Sequence, residues 1–111
     1  MIKVLFICHG NICRSPMAEF VMRDLVKKAG LTSQFHIESA ATSREEIGNP
    51  VYPPARRKLA EHGISCNGHA ARQLTNQDLL CFPLKNLVIS GVSAYQILKP
   101  YVLSLVFSLT G

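Results

Sequence analysis

Residues 3–16 read KVLFICHGNICRSP and contain the strongest structural signal in this 111-residue chain. The apolar run from Lys3 to Ile7 is rich in β-branched and aromatic side chains and too short for a helix, so it predicts a buried parallel strand. Ser15 is a good N-cap residue, and Pro16 is favoured at the first position of a helix. These residues therefore predict a strand, a short loop from Cys8 to Arg14, and then a helix.

Two sets of side chains define the faces of this predicted helix. The apolar set, expected to be buried, is Met17, Phe20, Val21 and Leu25. The charged set, expected to face solvent, is Glu19, Arg23, Lys27 and Lys28. Gly30 ends the helix, because glycine is common just beyond a helix C-terminus.

Three further elements follow along the chain. The alternating residues 35–40 predict a second strand, and a polar loop over residues 42–54 leads into a helix over residues 55–62. Thr75, followed three residues later by Asp78, indicates the start of another helix. The order of strands and helices predicts an α/β domain with a parallel sheet and right-handed crossovers.

Composition and charge limit the classes of function. The chain is 48% hydrophobic and 17% charged, which excludes a disordered or fibrous protein, and its length predicts a single domain over residues 1–111. The net charge of +5 favours anionic ligands. The basic residues do not form the stripe expected for nucleic-acid binding. We therefore expect a phosphate ligand and no nucleic-acid partner.

Cysteine usage predicts a reducing environment. The four cysteines are Cys8, Cys13, Cys66 and Cys81. No secretory signal precedes them, so we expect a cytoplasmic protein in which cysteines more often carry chemistry than disulfides. The spacing of Cys8 and Cys13 is too wide for a zinc knuckle. The sequence therefore predicts no metal, no cofactor and no membrane anchor.

The composition changes abruptly after Asp78. Residues 79–111 form an atypical apolar tail that contains no Asp, Glu or Arg, and 20 of its 33 residues are hydrophobic. Residues 87–89 and 101–109 are candidate strands, while Lys99-Pro100 argues against a membrane span. We expect this tail to derive from a shifted reading frame, and its apolar surface to favour homo-oligomers.

Residues 8–15 fit the pattern C-x5-R-S found in cysteine-dependent phosphatases. Five residues between Cys8 and Arg14 let the backbone curl so that its N–H groups point inward and form an anion nest. The helix beginning near Ser15 adds the positive end of its dipole. Arg14 supplies a planar fork for two phosphate oxygens. In this field Cys8 is favoured as a thiolate, which is a nucleophile aimed at phosphorus.

Residues 8–16 also resemble the phosphate loop of the low-molecular-weight protein tyrosine phosphatases. The resemblance continues through residues 39–43, 47–50, 62–64 and 69–75, and it covers about residues 1–78. It implies a small doubly wound parallel sheet, Rossmann-like and three-layered, whose C-terminal part over residues 79–111 is incomplete or altered. It also implies hydrolysis of a phosphotyrosine protein or small aryl phosphate through a phosphocysteine, with inorganic phosphate as product and inhibitor.

The resemblance implies a role for each matching residue in the loop. Cys8 would be the nucleophile, Arg14 the phosphate clamp and Ser15 a hydrogen-bond donor to the thiolate. Cys13 would form a reversible disulfide with Cys8 on oxidation. The phosphate-binding loop would comprise His9, Gly10, Asn11, Ile12 and Cys13.

Residues outside the loop would support it or contact the substrate. Asn11 would adopt a strained left-handed conformation supported by Ser39 and His69. The substrate rim would comprise Glu45, Glu46 and Ile47. This acidic rim would disfavour acidic phosphopeptides.

The family's general acid has no counterpart here, because it is an aspartate in an Asp-Pro context and no acidic residue follows Asp78. Loss of a general acid costs about 10²–10⁴-fold in rate, so we expect impaired catalysis. Two alternatives stay open. One is a non-catalytic phosphate- or phosphotyrosine-binding module, and the other is an arsenate reductase of the same fold, which would need Cys66 and Cys81 as a relay.

Overall fold

A three-stranded parallel sheet forms the centre of residues 1–89, the part of the chain that the structure, a computed structural model, describes. Strand β1 (Ile2–Cys8) lies in the middle, between β2 (Phe35–Ala41) and β3 (Leu87–Ile89). The register places Ile7 opposite Ala40 on one side and Ile89 on the other. Because a central parallel strand is covered on both faces, its sequence is a nearly continuous apolar run.

Helices cover both faces of this sheet. Helix α1 (Arg14–Lys28) lies on one face, where its Glu19 side chain meets Ser39 of β2, and α2 (Pro53–Glu61) packs beside it. Helix α3 (Asn76–Cys81) is followed directly by Phe82, which packs against the other face of the sheet. The chain therefore has the predicted doubly wound, three-layered α/β fold.

Two apolar clusters hold these layers together. One cluster joins the sheet to the segment after α3 and comprises Leu5, Ile7, Ala40, Phe82 and Leu87. The other lies between α1 and α2 and comprises Val51, Ala55, Leu59 and Cys66, with Cys13, Met17, Phe20 and Ile64 packed against it. Full burial of each large apolar side chain contributes about 1.5–3 kcal/mol.

Two of the three helices begin at other residues than the sequence predicts. Helix α1 is preceded by Cys13 as N-cap, so Ser15 lies inside the first turn instead of capping it. Helix α2 begins at Pro53, two residues earlier than predicted, because proline is accommodated in a first helical turn. The predicted start of α3 is correct, and Thr75 and Asp78 form a reciprocal capping box.

The predicted faces of α1 were partly wrong. Val21 is 40% exposed and Leu25 is 60% exposed, whereas Glu19 is only 6% exposed. The reason is that α1 meets polar groups of β2: the Ser39 hydroxyl bonds to Glu19, and Arg23 donates to the Ile37 carbonyl oxygen at 2.7 Å. Helical periodicity does not reveal a polar patch on the facing strand.

Within residues 1–89, no helix has the length and apolar character needed to cross a membrane. The same described residues contain no cluster of three or more His, Cys, Asp or Glu side chains suited to a metal ion. Of the two strands predicted in the tail, residues 87–89 form β3, and residues 101–109 lie outside the described residues.

Candidate active site

The Cys8 side chain ends β1 at the centre of a ring of donors. Cys8 is 3% exposed, and its Sγ lies 3.0 Å from Ser15 Oγ. The backbone N–H groups of Asn11 and Ser15 donate to the same sulfur at 3.3 and 3.4 Å. Hydrogen bonds of this kind stabilise a negatively charged sulfur. The loop therefore directs three hydrogen-bond donors at the Cys8 sulfur.

The backbone N–H groups point inward because neighbouring segments draw the loop's carbonyl groups outward. Four loop carbonyl oxygens accept hydrogen bonds from outside the loop: Cys8 from Thr42 N, His9 from Ser43 N, Asn11 from His69 Nε2 and Ile12 from Tyr52 N, at 2.7–3.1 Å. Each peptide unit is planar, so a carbonyl turned outward directs the N–H of the same unit inward. The result is a nest for an anion.

Helix α1 adds to the positive potential of this nest. It begins at Arg14, directly after the loop, and its 15 residues give a full helix dipole whose positive end faces the nest. The Arg14 side chain is exposed, at the first position of the helix. The loop and the helix dipole thus converge on one place, which suits a phosphate.

Asn11 holds the loop in shape. It is fully buried and is the only non-glycine residue with positive φ among residues 1–89, at 59°. Its Nδ2 donates to Ser15 Oγ at 2.7 Å and to Ser39 Oγ at 2.8 Å, and its Oδ1 accepts from Arg72 N at 3.1 Å. Since both Nδ2 protons are used, the Ser15 oxygen is an acceptor there, and its own proton is left to donate to Cys8 Sγ.

Sequence reasoning missed the residue at the far end of this chain of hydrogen bonds. Ser39 accepts from Asn11 and donates its own proton to Glu19 Oε1 at 2.5 Å. The other Glu19 oxygen pairs with Arg23 at 2.8 Å. The one available sequence signal was the four-residue spacing of Glu19 and Arg23, which is typical of helical ion pairs.

A second ion pair, also missed, lies behind the loop. Arg72 donates to both carboxylate oxygens of Asp78 at 2.9 Å. Burial raises the pKa of Asp78, but the hydrogen bonds from Arg72 and Thr75 lower it by more, and the net pKa lies below its usual value. The hydrogen bond to Asp78 raises the pKa of Arg72, although burial opposes it.

The predicted rim lies beside the loop. His9 Nε2 is 3.0 Å from Glu45 Oε2, and both side chains are more than half exposed. Glu46 accepts from Asn49 Nδ2 at 2.6 Å, and Ile47 is 53% exposed. The Glu45 carboxylate thus faces an imidazole, so its charge is offset whenever His9 is protonated.

The remaining loop and cysteine residues have distinct surroundings. A Cβ on Gly10 would lie 3.4 Å from Glu46 Cγ, in van der Waals contact with the rim. Cys13 packs against the cluster between α1 and α2, which contains the buried Cys66. Cys81 is exposed at the end of α3. None of the four cysteines forms a disulfide in this structure.

A strand, a loop with the pattern C-x5-R-S and a helix, in this order, are typical of the cysteine-dependent phosphatases. Residues 3–88 match the family model described as low molecular weight phosphotyrosine protein phosphatase. The chain is 49% identical over 79 residues to the low molecular weight protein-tyrosine-phosphatase YfkJ of Bacillus subtilis, covering 71% of this chain and 51% of YfkJ. It is 47% identical over 80 residues to the human low molecular weight phosphotyrosine protein phosphatase, covering 72% and 50%.

Solved structures agree with this match. The crystal structure of YfkJ superimposes with a TM-score of 0.80 at 40% identity, covering 92% of this chain and 63% of that one. The chain therefore belongs to the low molecular weight phosphotyrosine protein phosphatase family. It spans about half the length of the curated relatives it matches.

Proposed function

We propose that this protein hydrolyses phosphate monoesters, with protein phosphotyrosine as the natural class of substrate, through a covalent phosphocysteine at Cys8. The observation that carries the proposal is the convergence of three donors on Cys8 Sγ at 3.0–3.4 Å, at the N-terminus of α1. Family membership supports the same reaction and substrate class.

In this reaction the Cys8 thiolate attacks phosphorus while Arg14 and the loop N–H groups bind the phosphoryl oxygens. The S–P bond forms as the bond to the leaving oxygen breaks. Water then attacks the phosphocysteine, releasing inorganic phosphate and restoring the thiolate. Ser15, which donates to the sulfur, stabilises the thiolate as nucleophile in the first step and as leaving group in the second.

We also propose that protonation of the leaving group is impaired in this chain. No acidic residue follows Asp78 among these 111 residues, so they contain no counterpart of the aspartate in an Asp-Pro context that the resemblance implies as general acid. The phenolate of tyrosine is a poor leaving group that needs this proton, whereas nitrophenolate leaves without it. We therefore propose that this chain hydrolyses activated aryl phosphates well. Its hydrolysis of phosphotyrosine should be about 10²–10⁴-fold slower than with a general acid present.

Of the two other functions, the geometry gives less support to one and does not distinguish the other. An arsenate reductase relay would use Cys66 and Cys81, but Cys66 is buried in the cluster between α1 and α2. A binding module without turnover would use the same nest, and only its failure to release phosphate distinguishes it.

The deciding experiment compares p-nitrophenyl phosphate with phosphotyrosine at mildly acid pH. Cys8→Ser should abolish hydrolysis of both compounds, and Cys81→Ser, a matched change at an exposed cysteine, should not. Fast, Cys8-dependent release of nitrophenol with slow hydrolysis of phosphotyrosine supports the proposal. Phosphate binding without any turnover would contradict it in favour of the binding module.

A further inference from the structure

Residues 69–74 run behind the phosphate loop and hold its central residue twice. His69 Nε2 donates to the Asn11 carbonyl oxygen at 2.8 Å, and the Arg72 N–H donates to Asn11 Oδ1 at 3.1 Å. Both bonds end on a buried residue with a φ of 59°. A left-handed asparagine persists only when its surroundings hold it, so the position of this segment affects the loop.

Two anchors hold the segment in place. The first is backbone pairing with β2: Ala41 N donates to Arg72 O, and Leu74 N donates to Ala41 O, both at 2.7 Å. The second is the two-pronged contact of the Arg72 guanidinium with Asp78 at 2.9 Å. A bidentate contact fixes orientation as well as distance.

The Asp78 carboxylate is itself held rigidly. Its Oδ2 also accepts from the Thr75 N–H at 2.8 Å and from Thr75 Oγ1 at 3.1 Å. The Asp78 side chain is only 10% exposed, and Glu38 approaches Arg72 at 3.6 Å from the other side. The N-terminus of α3 therefore acts as a fixed point for Arg72.

We propose that Arg72 and Asp78 are positioning residues for the phosphate loop. Their ion pair fixes the segment whose donors hold Asn11, and Asn11 directs the Ser15 hydroxyl proton to Cys8 Sγ. The two side chains bond to each other and not to Cys8. This inference deepens the proposed function and rests on it, because it concerns the nucleophile of that reaction.

The direction in which Asp78→Asn changes the reactivity of Cys8 distinguishes a positioning role from a purely electrostatic one. Asp78→Asn removes a negative charge, and by its field alone this change would favour the Cys8 thiolate. If the ion pair positions the loop, the same change misplaces the donors to Cys8 Sγ and disfavours the thiolate. A purely structural role would leave Cys8 in the folded protein unchanged.

The test measures alkylation of Cys8 by iodoacetamide, followed by mass spectrometry of the Cys8 peptide, as a function of pH. We expect Asp78→Asn to slow alkylation at mildly acid pH about tenfold and to move its pH midpoint upward. Arg72→Lys keeps the charge but only part of the hydrogen bonding, so its effect should be intermediate. Glu61→Gln, a matched loss of charge on the exposed surface of α2, should alkylate like the unchanged protein.

Equal or faster alkylation in Asp78→Asn would overturn the proposal. If that variant does not fold, Arg72→Lys decides, and alkylation at the unchanged rate would overturn the proposal as well. Hydrolysis of p-nitrophenyl phosphate by the unchanged protein is measured in parallel. Its absence would count against the proposed function alone, because the alkylation rates test positioning without turnover.

Discussion

Asn11 Nδ2 donates to Ser15 Oγ across 2.7 Å, and this bond determines which way the Ser15 proton points. A hydroxyl oxygen that accepts from an amide keeps its own proton for another acceptor. The nearest one is Cys8 Sγ, 3.0 Å away. A buried amide thus controls the hydrogen bonding of the Cys8 sulfur.

Replacing Ser15 by alanine tests this hydrogen bond. Loss of a hydrogen bond to a charged group costs about 1.5–3 kcal/mol, so kcat for p-nitrophenyl phosphate should fall about 10- to 100-fold. Steady-state kinetics at mildly acid pH measure the change. Ser33→Ala, in the exposed turn before β2, is the control, and equal rates for the two variants would argue against a role for Ser15.

Two substitutions at Asn11 separate backbone strain from hydrogen bonding. Asn11→Gly tolerates a φ of 59° but lacks the amide, whereas Asn11→Ala lacks the amide and also strains the backbone. Both should weaken inhibition by inorganic phosphate at least about tenfold, since the loop loses its shape. Urea denaturation should show the alanine variant less stable than the glycine variant by about 1–2 kcal/mol. Equal stability would mean that strain at this residue is unimportant.

Glu19 should contribute to stability, although helical periodicity predicts that its side chain faces solvent. Glu19→Gln removes the charge that accepts from Ser39 and pairs with Arg23, so the free energy of unfolding should fall by about 1–3 kcal/mol. Asp24→Asn breaks a more exposed pair with Lys28 and should cost only about 0.3–0.5 kcal/mol. Urea denaturation of both variants checks the difference, and similar losses would contradict it.

The pH dependence of stability should include a contribution from Asp78. Its pKa is lower in the folded than in the unfolded state, so the ion pair stabilises the fold at pH values above about 3.9. This contribution is lost as the pH falls through the folded-state pKa. Asp78→Asn should therefore destabilise the protein near neutral pH and lose less stability on acidification. Urea midpoints measured between about pH 7 and about pH 3 test this, and parallel curves would contradict it.

Much of the fold could be predicted because its signals are local. The apolar run of β1, the loop that follows it and the capping box of Thr75 and Asp78 each depend on residues close together in sequence. Secondary structure follows from such patterns. The first strand and the start of α3 were therefore predicted correctly.

The hydrogen-bond network around the loop does not follow from local patterns, although the family resemblance implies two of its members, Ser39 and His69. The partners of Asn11 lie 28 to 61 residues away at Ser39, His69 and Arg72, and only the folded chain brings them together. Glu19 was assigned to the solvent face because periodicity carries no information about the polar strand opposite. The position of Ser15 locally favours a helix cap, but the fold uses its hydroxyl at Cys8, as the family resemblance implies.

The outward-turned carbonyl groups of the phosphate loop have a consequence for how such a protein can diverge. In the described part of the chain, every hydrogen-bond donor to these carbonyls precedes Arg72. An anion receptor built this way can be inherited intact while the sequence after β3 drifts. Recognition of phosphate and the chemistry performed on it are then separable traits, each open to selection without the other.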